Sequence, residues 1–319
     1  MPPTRRLPAV LALALALCAG GARAACPPPP AAPTPEQAAA WAAQAPDRGL
    51  LWRLRRGGHS SYLFGSLHVG QAAWAYPGPA LRRAWRETEV LAVELDPADV
   101  GAALAAAGPA APLAPALARR VEAQARAACL PPAALAPLPA MLQLSTLMLA
   151  EARRDGFDAA FGQDLMLLAL ARSQGRPVRS LERVAEQLDA LAPEPQALDA
   201  LVGGALRQLQ RGQWRAPLRR LAEAWSRGDL QALADYPRWC ACADTPAERA
   251  WLRRVNDDRN APLADRIAAL HGAGQRLLVA VGALHMAGPQ ALPRLLAQRG
   301  FDVEPVRPAL ASIPVEETP

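Results

Sequence analysis

Three short apolar runs, far apart in the chain, each end on residues able to do chemistry. Tyr62-Leu63-Phe64 leads into Gly65-Ser66-Leu67-His68, and Leu277-Leu278-Val279-Ala280-Val281 leads into Gly282-Ala283-Leu284-His285. Val90-Leu91-Ala92-Val93 leads into Glu94-Leu95-Asp96. Short, continuously apolar runs fit strands buried on both faces, as in a parallel sheet. Between them lie helical patterns, and strands alternating with helices dictate an α/β fold. The expectation is a mostly parallel or mixed central sheet flanked by helices. A helical insertion, over about 97–251, separates the two segments that carry the Gly-x-x-His motifs.

The ends of such strands are where open α/β sheets collect ligands. The chain has only 4 histidines, and the Gly-x-x-His pattern uses two of them, His68 and His285. In both copies Gly65 or Gly282 is read as the residue at which the backbone turns tightly. Alternation along a strand puts Glu94 and Asp96 on one face. His68, Glu94 and His285 thus form a candidate ligand set for a divalent metal, with zinc, manganese or cobalt all compatible with imidazole and carboxylate donors. A further short strand, Val178 to Leu181, ends at Glu182. Glu182 or Asp96 is then a candidate general base. Each has a plainer reading, with Asp96 ending its strand before Pro97 and Glu182 capping the helix that follows. His59 reads as a turn residue, and His271, before Gly272, as a helix C-terminal cation.

The chain resembles the TraB/GumN family, whose animal relatives include the Tiki metalloproteases. The resemblance rests on Tyr62 to Gly70, on Val93-Glu94-Leu95-Asp96, and on Asp257-Asp258-Arg259-Asn260 with Val281 to Gly288. Gln163-Asp164 and Ser180-Leu181-Glu182 form a weaker middle block. It spans about residues 48–307. It implies a metal-dependent hydrolase fold, with peptidase activity in the Tiki branch. It also brings in Arg259 as a candidate to hold a developing oxyanion or a substrate carboxylate, where a surface pair with Asp257 or Asp258 is the alternative. Asn260 is a candidate to orient a ligand, and Asp164 a supporting residue.

The termini carry separate information. Arg5 and Arg6, the apolar stretch Val10 to Ala19, and Ala22-Arg23-Ala24 read as a secretory signal over 1–24. A Pro/Ala-rich leader over 25–47 follows, extended from Cys26 to Pro35, and residues 308–319 read as a disordered tail. The expected location is therefore periplasmic or secreted, with no integral membrane segment after cleavage. All 35 basic residues are arginine and are scattered among 29 acidic ones, which gives no indication of nucleic-acid binding. Cleavage leaves Cys26, Cys129, Cys240 and Cys242, an even set suited to disulfides. Cys240 and Cys242 lie close in sequence, so one of them is expected to pair with Cys129 or Cys26.

The expected partner is a peptide or another small envelope substrate, and the expected activity is metal-dependent hydrolysis. Two alternatives remain open: binding of a peptide or saccharide without cleavage, and metal-free ester or lactone hydrolysis with histidine as base.

Overall fold

A hairpin opens the sheet. Strand β1 (Leu50–Arg56) and strand β2 (His59–Ser66) are joined by Gly57-Gly58, with Arg56 opposite His59. Both glycines have positive φ, at 60° and 83°, which matches the twist a two-residue hairpin requires. The other strands are β3 (Val90–Val93), β4 (Val178–Ser180), β5 (Leu277–Gly282) and β6 (Asp302–Pro305), in spatial order β4-β3-β5-β2-β1-β6. The four strands β4, β3, β5 and β2 run parallel, whereas β1 pairs antiparallel with both β2 and β6. The sheet is mixed, with helices around it. Pro305 sits on the outermost strand, where its missing N–H costs no ladder bond.

The computed structural model describes residues 26–28, 30–101 and 112–306. The expected signal segment 1–24 and tail 308–319 lie outside the described residues. Among the described residues no helix is long and apolar enough to cross a membrane.

Strands β3 and β5 are buried along almost their whole length, as their unbroken apolar sequences require. The helix Asp257–Gly272 packs Leu263, Ala264 and Ile267 into the core without residual exposure, and Leu292 and Leu296 add to it from the helix Leu292–Gln298. Pro262 lies inside Asp257–Gly272. The helix accepts the loss of one backbone bond, and it carries Arg259 and Asn260 on its opening turns.

The long stretch between the motifs is largely helical, but β4 interrupts it and joins the sheet edge beside β3. Several of its helices stand over the carboxyl ends of the parallel strands: Ala140–Ala152, Arg215–Ser226 and Pro246–Val255. Beyond its proline-rich start the leader turns helical. Pro35–Gln44 is a helix, started by a capping box between Thr34 and Gln37 with Pro35 in its first turn.

The disulfides correct the expected pairing. Cys26 bonds Cys129, and Cys240 bonds Cys242. Ala241 has a φ of 55°, and this left-handed kink brings the flanking Cα atoms to 5.1 Å, inside the range a disulfide needs. Two cysteines separated by one residue are therefore close enough. The other bridge ties the start of the leader to the helical region.

His271 stands in the last turn of its helix, as the sequence indicates, but it is turned into the core rather than left as a terminal cation. It is buried, its Nε2–H donates to the Arg56 carbonyl at 2.9 Å, and its Nδ1 accepts from the Ser61 hydroxyl at 2.9 Å. Burial lowers its pKa, the backbone bond to Arg56 opposes this, and the charges of His59 and Arg56 lower it further. His59 starts β2 and stacks on His271 at 3.9 Å.

Candidate functional site

The parallel register lines up the strand ends. Ser66 on β2 lies opposite Gly282 on β5, Val93 on β3 opposite Ala280, and Ser180 on β4 opposite Val93. Each chain runs a few residues past this level and delivers one functional group: His68 after β2, Glu94 after β3, Glu182 after β4, and His285 in the short 3-10 turn Ala283–Met286 after β5. Backbone bonding continues beyond β4, with Leu181 N–H on the Val93 carbonyl and Glu182 N–H on the Glu94 carbonyl. His68, Glu94, Arg259 and His285 line one cavity of about 400 Å³.

The motif glycines serve close approach. Neither Gly65 nor Gly282 is among the positive-φ residues, so the expected tight turn is not their reason. A Cβ on Gly65 would lie 3.0 Å from Met286 Cγ and 3.3 Å from Ala283 Cα, so this glycine lets the first motif pack on the second. A Cβ on Gly282 would lie 3.2 Å from Glu94 Oε1. That space is taken by a hydrogen bond, Gly282 N–H to Glu94 Oε1 at 2.6 Å. Trp225, buried in the core, donates its indole N–H to the Gly65 carbonyl at 2.7 Å.

Each histidine is oriented from behind. His68 Nδ1–H donates to Asp164 Oδ2 at 2.6 Å, and His285 Nδ1–H donates to Asn260 Oδ1 at 2.5 Å. Asn260 is fully buried, and its amide also donates to the Gln290 carbonyl at 2.8 Å. The first turn of the helix Gln163–Ser173 clasps the His68 loop: Gln163 donates its backbone N–H to the Leu67 carbonyl and accepts the Leu67 N–H on its side chain. Asp164 Oδ1 is buried without a hydrogen-bond partner among the described residues.

Arg259 ties the acidic groups together. Its Nε–H and one Nη2–H donate to the two oxygens of Glu182, and Nη2 also donates to Glu94 Oε2 at 2.6 Å. Nη1 donates to the Val255 carbonyl. A guanidinium has five N–H groups, so one on Nη1 is left over. The helix Val184–Leu191 takes its cap from Arg183 and Glu186, and Glu182 turns instead to Arg259. Asp96 accepts from Arg172 at 2.5 Å and from the Ala98 N–H. It does not line the cavity.

These contacts set the charges. Burial pushes the Glu94 carboxyl up, but His285, Arg259 and His68 together with the Gly282 N–H outweigh it and hold it at about 2. The charge of Asp164, its hydrogen bond and Glu94 raise His68 to about 9 against the effect of burial. Its side chain is 67% exposed, because the ring faces an open cleft while protein surrounds it. Burial lowers His285 to about 4, with Glu94 opposing the shift. Burial lowers Arg259, and its bonds and charges with Glu182 and Glu94 raise it overall.

Residues 50–305, most of the chain, match the profile of the TraB/PrgY/gumN family. The chain belongs to this family. No curated protein and no solved structure matches the chain. In this TraB/PrgY/gumN member the donor chemistry fits a divalent cation in part. Both imidazoles hold their Nδ1 protons on acceptors and leave Nε2 without a hydrogen bond among the described residues, the arrangement that commonly supports a metal ligand. His285 Nε2 is 3.8 Å from Glu94 Oε1. Among the described residues, however, no three His, Cys, Asp or Glu side chains come together as closely as a ligand group does, since Glu94 is drawn onto Arg259 and the Gly282 N–H.

Sequence reasoning missed the apolar half of the cavity. Its walls include Met148, Leu149, Leu218, Leu221, Leu252 and Leu284. Met141, Leu144 and Leu147 are core, as helical spacing indicates, yet Met148 on the same helix is 39% exposed and faces the site. Spacing cannot tell a core stripe from a cavity wall, because both are apolar.

Proposed function

We propose that this family member is an exported hydrolase that cleaves peptide bonds with the help of a divalent cation. The observation that carries the reading is the matched pair of imidazoles, each pinned through Nδ1 and each presenting Nε2 to one cavity beside Glu94. His68, His285 and Glu94 would hold the ion. When bound, it would supply Lewis-acid activation of water and of a carbonyl group.

The chain's own groups have distinct tasks in this reading. Asp164 and Asn260 fix the ring orientations, and second partners of this kind commonly raise ligand strength. The Asp164 carboxylate, bonded to Nδ1, favours the charged form of His68, so uptake of an ion at Nε2 would release a proton and weaken as pH falls. Arg259 keeps a fixed positive charge at the cavity floor, held by Glu94 and Glu182, with one N–H left for a substrate oxygen. Glu182, with both oxygens on Arg259, acts better as an anchor for that guanidinium than as a proton acceptor. Two disulfides in the chain suit an oxidising compartment.

A second reading has an observation of its own. Glu94 and Glu182 are both bonded to Arg259, and such a closed network suits a pocket that binds a peptide or saccharide without cleaving it. Incubation with an unbiased peptide library, after chelation and after return of manganese, cobalt or zinc, separates the two. Metal-dependent cleavage supports the hydrolase. Binding without cleavage in every condition supports the second reading, and cleavage indifferent to chelation points to a metal-free centre.

A further inference from the structure

His68 and Glu94 border two recesses of unequal size. One is the cavity of about 400 Å³; the other is a recess of about 180 Å³, bordered also by Leu95, Pro97, Val100, Asp164 and Gln187. Ser66, His68 and Glu94 line both. A group bound over the two residues therefore has both recesses within reach, and what enters each meets different surroundings.

The larger recess is apolar above its charged floor. Its side walls come from three helices of the inserted region: Met148 and Leu149, Leu218 and Leu221, then Leu252. Leu218, Leu221 and Leu252 are half-buried and Met148 is exposed, so their apolar surface is available to an occupant. Burying such surface stabilises a complex by about 25 cal/mol per Å². The volume falls in the range that accepts a drug-sized group, ample for an aromatic or long aliphatic side chain. The smaller recess has polar groups of Asp164 and Gln187 at its border and less than half the space.

We infer that the substrate lies across His68 and Glu94 with a bulky apolar side chain in the larger recess and a small residue in the smaller one. The cleaved peptide bond is then flanked by one large apolar and one small residue. Tyr236, whose hydroxyl makes no hydrogen bond among the described residues, lines the larger recess and offers a polar handle to the main chain of such a substrate. This selectivity rests on the hydrolase reading, and the test keeps the two apart.

The full chain is incubated with an unbiased peptide library, and the residues on either side of each cut are read by mass spectrometry. The expected result is enrichment of Leu, Met, Phe or Trp on one side and of Gly, Ala or Ser on the other. Replacing the bulky residue by Ala should lower kcat/KM by at least about 10-fold, since a single methylene in an apolar pocket is already worth that much. Leu221→Trp, which fills the recess, should reduce the ratio of bulky to small substrates by at least about 10-fold. If that variant does not fold, Met148→Trp at the exposed rim reads the same ratio. Cleavage with no side preference would overturn the inference and leave the hydrolase reading standing. If no peptide is cleaved, that reading fails first. The recess is then probed with an apolar fluorophore, whose binding must be lost in Leu221→Arg for an apolar subsite to survive.

Discussion

Arg259→Met keeps much of the side chain's length and removes its charge and all five N–H donors. The side chains involved are 12% exposed for Arg259, 10% for Glu94 and 5% for Glu182, so solvent screens them weakly. The change deletes the fork to Glu182, the bond to Glu94 and the bond to the Val255 carbonyl. Glu182 is then left without a cation, and Glu94 keeps only its histidine neighbours and the Gly282 N–H. Removing one partner from a buried ion pair costs about 3–5 kcal/mol, and a loss within that range is expected. Burial alone pushes Glu94 up, so without the guanidinium its carboxyl leaves the value of about 2 it holds now. Proton uptake relieves the repulsion, and the loss should be larger at pH 8 than at pH 5. Denaturant unfolding at both pH values measures it. Adding Glu182→Gln to Arg259→Met removes one orphaned charge and should recover part of the loss. A cost below about 1 kcal/mol, typical of a surface pair, or strict additivity of the two substitutions, would refute the buried network as drawn.

Other substitutions probe single contacts. Gly282→Ala places a Cβ 3.2 Å from Glu94 Oε1, tight enough to displace the carboxylate; the melting temperature should fall modestly, by an overpacking cost of about 1–3 kcal/mol, while metal affinity or turnover falls further. His271 has a lowered pKa in the folded state, chiefly through burial, against about 6.5 unfolded. Its contribution to stability is complete above about 6.5 and is lost as pH falls through the folded value. His271→Gln keeps a donor for Arg56 and an acceptor for Ser61 without a titrating ring, so its melting temperature should decline less between pH 7 and 5 than that of the wild type.

The middle of the sheet was legible because β2, β3 and β5 carry short apolar runs, and buried parallel strands leave that trace. Register did the rest for the site: aligned ends of β2, β3, β4 and β5 bring the residues that follow them into one neighbourhood. Asn260, as a candidate to orient a ligand, and Asp164, as a supporting residue, both came in through the family resemblance, and which histidine each one holds depends on tertiary packing. Three features were hidden for physical reasons. A disulfide between Cys240 and Cys242 needs Ala241 in a left-handed conformation that local sequence does not announce. His271 depends on a partner as remote as Ser61 to become a buried neutral ring. The need for glycine at 65 and 282 comes from neighbours brought in by tertiary packing, and a sequence pattern shows only that glycine is there.

The central claim is that the paired Gly-x-x-His segments hold a divalent cation. Calorimetric titration of the chelated protein with manganese, cobalt and zinc, checked by elemental analysis, tests it most directly. The account predicts that the wild type binds one ion per chain and that His68→Ala and His285→Ala each lose it while remaining folded. Asp164→Ala should weaken binding by about 10–100-fold, the usual effect of removing a supporting partner. A wild type that takes up none of these ions, or histidine variants that bind them as well as the wild type does, would contradict it.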